Sequence, residues 1–186
     1  VLFVCYDNGG YMNTGVQRSG ATPPGARTNT SHASGANPGA SFSQGKDLPR
    51  IAMAHGIPYV ATAAVSDLRD LEAKVRKAMT FRGARYLHVL VPCPLGWGTR
   101  SDETIKLSRL AVESGLFPVF EAEHGDVTSA RKIRRQAPVE EYLQPQRRFA
   151  HLFGPNGRPE MVQALQAIAD KNIARFGLLE EVSDGE

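Results

Sequence analysis

The chain has 186 residues, carries 22 Lys+Arg against 19 Asp+Glu for a formal charge of +3, and is 41% hydrophobic and 22% charged. Those values fit one globular domain large enough to bury a core, and they exclude collagen, coiled-coil and intrinsically disordered chains. No run of about 18 apolar residues exists to span a membrane, and so small a positive charge without a clustered basic face excludes an argument for nucleic acid.

Val1-Leu2-Phe3-Val4-Cys5-Tyr6 is a continuous apolar run of the kind found in strands buried on both faces. The chain opens on Val1 rather than Met and enters this strand at once, so the expectation is a fragment whose N-terminal part is missing. Asp7-Asn8-Gly9-Gly10 then marks a turn. Residues 13–45 are rich in Gly, Ser, Thr, Asn and Pro and form one long loop. Loops of that length in a compact domain are either functional or unstructured insertions.

A short helix is predicted from Lys46-Asp47-Leu48-Pro49 through Ala54, closed by Gly56, and a strand over Tyr59–Ala64. Asp67 caps an amphipathic helix whose apolar stripe is Leu68, Leu71, Val75 and Met79, with Lys74 among the polar positions. Arg85–Val91 reads as a strand broken by Pro92-Cys93-Pro94-Leu95-Gly96-Trp97-Gly98. Ser101 is the expected N-cap of the next helix, with Asp102 and Glu103 in its first turn and Leu107, Leu110, Ala111 and Ser114 inward. Leu116–Ala122 is a fourth predicted strand. Strands alternating with helices indicate an α/β fold, doubly wound, with a mostly parallel sheet and helices on both faces. From residue 124 the character changes to a basic stretch, Arg131–Arg135, and then Pro138–Leu143. The last helix starts near Pro159, turns Val162, Leu165, Ala169, Ile173 and Phe176 to one side, and stops at Gly177. The acidic end, Glu180–Glu186, is expected to fray. The expected division is 1–123 and a C-terminal tail, 124–186.

Two cysteines far apart, Cys5 and Cys93, make no disulfide framework and fit a reducing, cytoplasmic setting. Cys5 lies in an apolar strand and reads as structural. Cys93 stands between two prolines on a turn, an odd place for a filler residue, yet an iron–sulfur cluster needs about four thiolates. The turn after the first strand offers hard oxygens, from the Asn8 side chain and from main-chain carbonyls freed by Gly9 and Gly10. Mg²⁺ takes such ligands, usually few from protein and the rest from phosphate and water. Judged on residue types alone, a plain turn is the simpler account of this segment. His32, His55, His88, His124 and His151 show no metal-ligand spacing and read as loop or core histidines. Trp97 reads as packing and Arg131–Arg135 as a solvated face.

The stretch Cys5-Tyr6-Asp7-Asn8-Gly9-Gly10-Tyr11-Met12-Asn13-Thr14-Gly15-Val16-Gln17-Arg18-Ser19-Gly20-Ala21-Thr22-Pro23 resembles the thiamine diphosphate loop of 2-oxoacid:ferredoxin oxidoreductases, in the β subunit of the pyruvate:ferredoxin oxidoreductase type. Ala54–Ala63, Pro92–Gly98 and Pro138–Leu143 agree with the same family in the same order. The resemblance implies the C-terminal part of a thiamine diphosphate-binding domain. It implies Mg²⁺ held by the Asn8 side chain and the Gly10 carbonyl, with the motif's Asp ligand upstream of Val1. It assigns Tyr11, Asn13 and Thr14 to the cofactor, the last two as catalytic residues. It also implies a [4Fe-4S] cluster ligated by Cys93, with its other cysteines upstream.

The implied activity is oxidative decarboxylation of a 2-oxoacid with coenzyme A, electrons passing to ferredoxin. The implied partners are an α subunit, the other subunits and ferredoxin, with neither nucleic acid nor membrane involved, and the isolated fragment is expected to be inactive. Two departures stand out. Gly9-Gly10 replaces a pair that often carries larger side chains, such as Glu-Ala. Arg27–Ser43 is richer in Ser, Asn and Gly than in relatives, which leaves the choice of 2-oxoacid open. A thiamine enzyme without electron transfer, such as a decarboxylase or synthase, and a truncated non-catalytic partner module are the alternative functions. Arg131–Arg135 would, on the family reading, suit a subunit or an acidic ferredoxin.

Overall fold

The computed structural model describes residues 1–31 and 45–180. His32, most of the Arg27–Ser43 loop and the acidic end beyond Glu180 therefore lie outside the described residues. A five-stranded sheet has the order β1 (Leu2–Asp7), β3 (Arg85–Leu90), β2 (Tyr59–Ala64), β4 (Phe120–Glu123), β5 (Asp126–Ala130). β1, β3 and β2 are parallel, β4 runs antiparallel to β2, and β5 runs antiparallel to β4.

Register sorts the side chains into two faces, because neighbours in a parallel ladder point the same way. Cys5, His88 and Thr62 align, as do Asp7, Leu90 and Ala64. Helix α1 (Leu48–Ala54) covers this face near Val60 and Tyr86, and α4 (Thr104–Glu113) and α6 (Pro159–Phe176) close its other end. Helix α2 (Leu68–Ala78) covers the opposite face, over Tyr59, Ala61 and Leu87. Helices thus flank a mostly co-directional sheet on both sides. Among the described residues no helix is long and apolar enough to cross a membrane.

Several elements differ in detail from expectation. In α2 the covered positions are Lys74 and Ala78, with Leu71 and Val75 beside them, while Leu68 and Met79 are largely exposed. Lys74 can enter because its Nζ donates to the Thr62 carbonyl (2.9 Å) and to Asp70 Oδ2 (2.7 Å). Asp67 caps this helix as expected, accepting from the Asp70 N–H at 3.1 Å. Ser101 does not cap α4; Ser101–Glu103 is a 3₁₀ turn, and α4 begins at Thr104. The fourth strand starts at Phe120 rather than Leu116, since Pro118 has no N–H for a ladder.

The strand β5 was hidden in the stretch after 124. His124 and Gly125 both have positive φ, 52° and 96°, which is the backbone a tight two-residue hairpin requires. The segment from 124 onward is bound into the body of the fold: β5 extends the sheet, and Val139, Leu143, Leu152 and Leu165 share one core cluster with Ala64, Leu90 and Trp97. Much of the basic stretch is engaged in ordering this region. Arg131 pairs with Asp67 (2.7 Å), Lys132 binds the Gly177 and Leu179 carbonyls behind α6, and Arg135 pairs with Glu141.

Candidate functional site

The carboxyl ends of β1 and β3 are adjacent in the sheet, so the turns that follow them are neighbours. In open α/β sheets this end is where ligands bind. After β1, the Asp7 carboxylate accepts the Gly9 N–H (2.8 Å) and the Asn8 side-chain oxygen accepts the Gly10 N–H (3.2 Å). Gly9 has φ of 73°, the left-handed region that a side chain disfavours. Thr22 holds the turn from the far side, donating its hydroxyl to the Gly9 carbonyl at 2.8 Å. The chain then forms a small hairpin, Tyr11 paired with Gln17 through both backbone groups, with Tyr11, Asn13 and Thr14 exposed. The Thr14 hydroxyl donates to Gln17 Oε1 at 2.7 Å.

After β3, Cys93 begins a short helix, α3 (Pro94–Trp97), and its sulfur accepts the Gly96 N–H at 3.4 Å. Gly98, with φ of 65°, ends it. The two turns touch directly. The Trp97 indole N–H donates to the Asn8 carbonyl at 2.6 Å, and the Met12 side chain rests on Gly96. The structure therefore gathers Asn8, Gly10, Met12, Cys93 and Trp97 at one end of the sheet. Cys5 lies elsewhere, within β1 against the α1 layer, and burial pushes its thiol up from the ordinary range.

Several residues behind these turns were not singled out from the sequence as site residues. His88 Nε2 donates to Asp7 Oδ2 (3.0 Å), and the Tyr86 hydroxyl meets His88 Nδ1 (2.8 Å). Burial would raise the Asp7 carboxyl, but the His88 hydrogen bond and charge, the Gly9 N–H and the Arg148 charge together hold it below the usual range. Arg148 is buried, with its guanidinium 3.8 Å from the centre of the Trp97 ring, its Nε donating to Gln146 (2.9 Å) and its Nη2 to the Tyr142 hydroxyl (3.4 Å). A cavity of about 210 Å³ is lined by Asp7, Gly9, Thr62, His88, Trp97 and Arg148 together with apolar side chains of the core. Asp7 was signalled by its place before Asn8. Arg148 had no local signal, because its partners come from distant segments.

In chemical terms, the first turn presents an amide oxygen and main-chain carbonyls, hard ligands suited to a small divalent cation that keeps water and phosphate in its shell. It is an incomplete cage. Among the described residues no three His, Cys, Asp or Glu side chains come together as a metal site. The second turn presents a partly exposed sulfur that accepts the Gly96 N–H, a soft ligand atom suited to iron.

The family described as thiamine pyrophosphate enzyme, C-terminal TPP binding domain, matches residues 1–89. Pyruvate synthase subunit PorB of Methanosarcina barkeri is 47% identical over 176 residues, covering 95% of this chain and 59% of the relative. The subunit of the same name from Thermotoga maritima is 43% identical over 183 residues, covering 98% and 56%. Ketoisovalerate oxidoreductase subunit VorB of Pyrococcus abyssi is 39% identical over 183 residues, covering 97% and 57%. The chain thus spans less than two thirds of the length of these relatives. With the parallel strands and their paired turns in place, this chain is similar over nearly its whole length to part of the subunits named PorB and VorB, and its first half to the thiamine pyrophosphate-binding family.

Proposed function

We propose that this chain forms part of the catalytic β subunit of a 2-oxoacid:ferredoxin oxidoreductase, acting on pyruvate or a related 2-oxoacid to give the acyl-CoA and reduced ferredoxin. Thiamine diphosphate, when bound, supplies the carbon nucleophile and electron sink that allow the 2-oxoacid to lose CO₂. Asn8 and Gly10 would hold its Mg²⁺ through oxygen, and Tyr11, Asn13 and Thr14 would border the cofactor and substrate from the exposed hairpin. Cys93 would ligate a [4Fe-4S] cluster whose remaining ligands come from outside the described residues. The oxidation then requires a path for two electrons, which leave singly through iron–sulfur centres. An α subunit and ferredoxin are the expected partners.

The observation that carries this reading is the bond from the Trp97 indole to the Asn8 carbonyl at 2.6 Å. It ties an oxygen-rich turn suited to Mg²⁺ to a sulfur-bearing turn suited to iron, and a thiamine enzyme without electron transfer has no need of the second turn. A titration of the holoenzyme with Mg²⁺ and thiamine diphosphate tests the first half. Asn8→Ala should weaken cofactor binding at least about tenfold, or about 1.4 kcal/mol, whereas Asn8→Asp keeps an oxygen ligand and should retain binding. Unchanged affinity in Asn8→Ala would contradict the role. An iron-free preparation that decarboxylates 2-oxoacids at full rate would favour a decarboxylase or synthase instead.

A further inference from the structure

We propose that Arg148 is a positioning residue that couples the two turns, bracing the Asn8 carbonyl through the Trp97 indole while placing a fixed positive charge behind the turn that carries Cys93. The proposal deepens the function given above and rests on it.

Arg148 comes from a 3₁₀ segment, Arg147–Leu152, more than fifty residues beyond Cys93, and is 5% exposed. Its planar group lies on the Trp97 ring at 3.8 Å. The edge of that same ring donates to the Asn8 carbonyl, so the cation on the ring's face and the hydrogen bond at its edge act on one rigid indole. Gln146 Oε1 and the Tyr142 hydroxyl hold the guanidinium by Nε and Nη2. Nη1 is buried and has no hydrogen-bond partner among the described residues, and it faces Gly9 so closely that a Cβ there would sit 2.9 Å away.

A buried unpaired N–H normally costs about 1–3 kcal/mol. The Gly9 backbone, with φ of 73°, leaves no room for a side chain between it and this nitrogen. Burial penalises the Arg148 charge, and Tyr142, Asp7 and Cys93 lie within its electrostatic reach. Asp7 is in turn held by His88 and the Gly9 N–H. A guanidinium is charged at any working pH, so the field it imposes is permanent. Positive charge near an iron–sulfur cluster favours the more negative, reduced form and raises the reduction potential.

The test uses the holoenzyme and two measurements, the reduction potential of the cluster lost in Cys93→Ala and the affinity for thiamine diphosphate. Arg148→Gln should move that potential to more negative values, and Arg148→Lys, which keeps the charge, should move it less. Trp97→Phe keeps a ring under the guanidinium and removes only the N–H. It should lower thiamine diphosphate affinity about tenfold, the scale of losing an outer-shell partner, and leave the potential in place. If Arg148→Gln does not assemble, the Arg148→Lys and Trp97→Phe pair still decides the matter. A potential that tracks loss of the ring contact rather than of charge, or an unchanged affinity in Trp97→Phe, overturns the proposal. If Cys93→Ala removes no cluster, it is the functional reading that fails, before Arg148 is in question.

Discussion

Asp7 shows how one residue governs the site without standing in it. Its two oxygens divide their work: Oδ1 accepts the Gly9 N–H that shapes the turn, and Oδ2 accepts from His88, which is aligned in turn by Tyr86. A carboxylate with both oxygens occupied cannot swing away, so the peptide planes of Asn8 and Gly10 are set before any ligand arrives. That is preorganisation supplied from behind the ligand-bearing atoms.

A second aspartate acts away from the site. Asp67 accepts the Asp70 N–H at the start of α2 and pairs with Arg131 at 2.7 Å. The backbone hydrogen bond, aided by the Arg131 charge, holds its carboxyl below the ordinary range despite some burial. Because the folded-state value is depressed, the contribution is complete above the unfolded value, near pH 3.9 for Asp. It is lost as pH falls through the lower, folded value. Asp67→Ala should cost about 1 kcal/mol at neutral pH. Urea denaturation should show that deficit steady between about pH 5 and 7 and shrinking below about pH 4. A deficit that grows in acid would mean that the cap is not the anion.

At the scale of elements, legibility followed locality. β1, β2, β3 and α6 could be read because each is set by its own periodicity and by a glycine, proline or cap at its ends. The apolar stripe of α2 was misplaced by a residue type. Lys74 scored as polar, but Thr62 and Asp70 give its ammonium partners inside the fold, while Leu68 and Met79 are left in solvent. β5 went unseen because its hairpin is made by His124-Gly125 rather than by Asn-Gly, and His is a weaker sign of positive φ. In the site, the turns after β1 and β3 announced themselves through their glycines and prolines. The Asp7–His88–Tyr86 chain and Arg148 did not, since register and long-range packing create them.

The Lys74 arrangement makes its own prediction. Side-chain exposure is 5% for Lys74 and 26% for Asp70. Asp70→Ala strands a buried ammonium and should cost about 3 kcal/mol, while Lys74→Met, which removes the charge and keeps the volume, should be within about 1 kcal/mol of neutral. Thermal or denaturant unfolding of the two variants checks the contrast. Equal losses would show that the pair, not the desolvated charge, carries the energy.

The fold brings segments from both halves of the sequence to one place. The C-terminal segments supply Tyr142, Gln146, Arg148 and Phe149, which wall the site from beneath the sheet's carboxyl edge. The terminal helix α6 then closes the core over Ala64, Leu90 and Trp97. The part beyond residue 124 is consequently a structural floor for the turns that the first ninety-eight residues contribute. This explains why family likeness extends over most of the chain although the thiamine pyrophosphate-binding family match ends at residue 89.

In the proposed function, one end of this sheet holds both an organic cofactor's metal clamp and an iron ligand. Iron content and the electron paramagnetic resonance spectrum of the reduced holoenzyme carrying Cys93→Ala, with thiamine diphosphate binding measured on the same sample, address that claim most directly. Loss of one four-iron cluster with cofactor binding kept is the expected result. A full complement of iron and an unaltered spectrum in Cys93→Ala would contradict it.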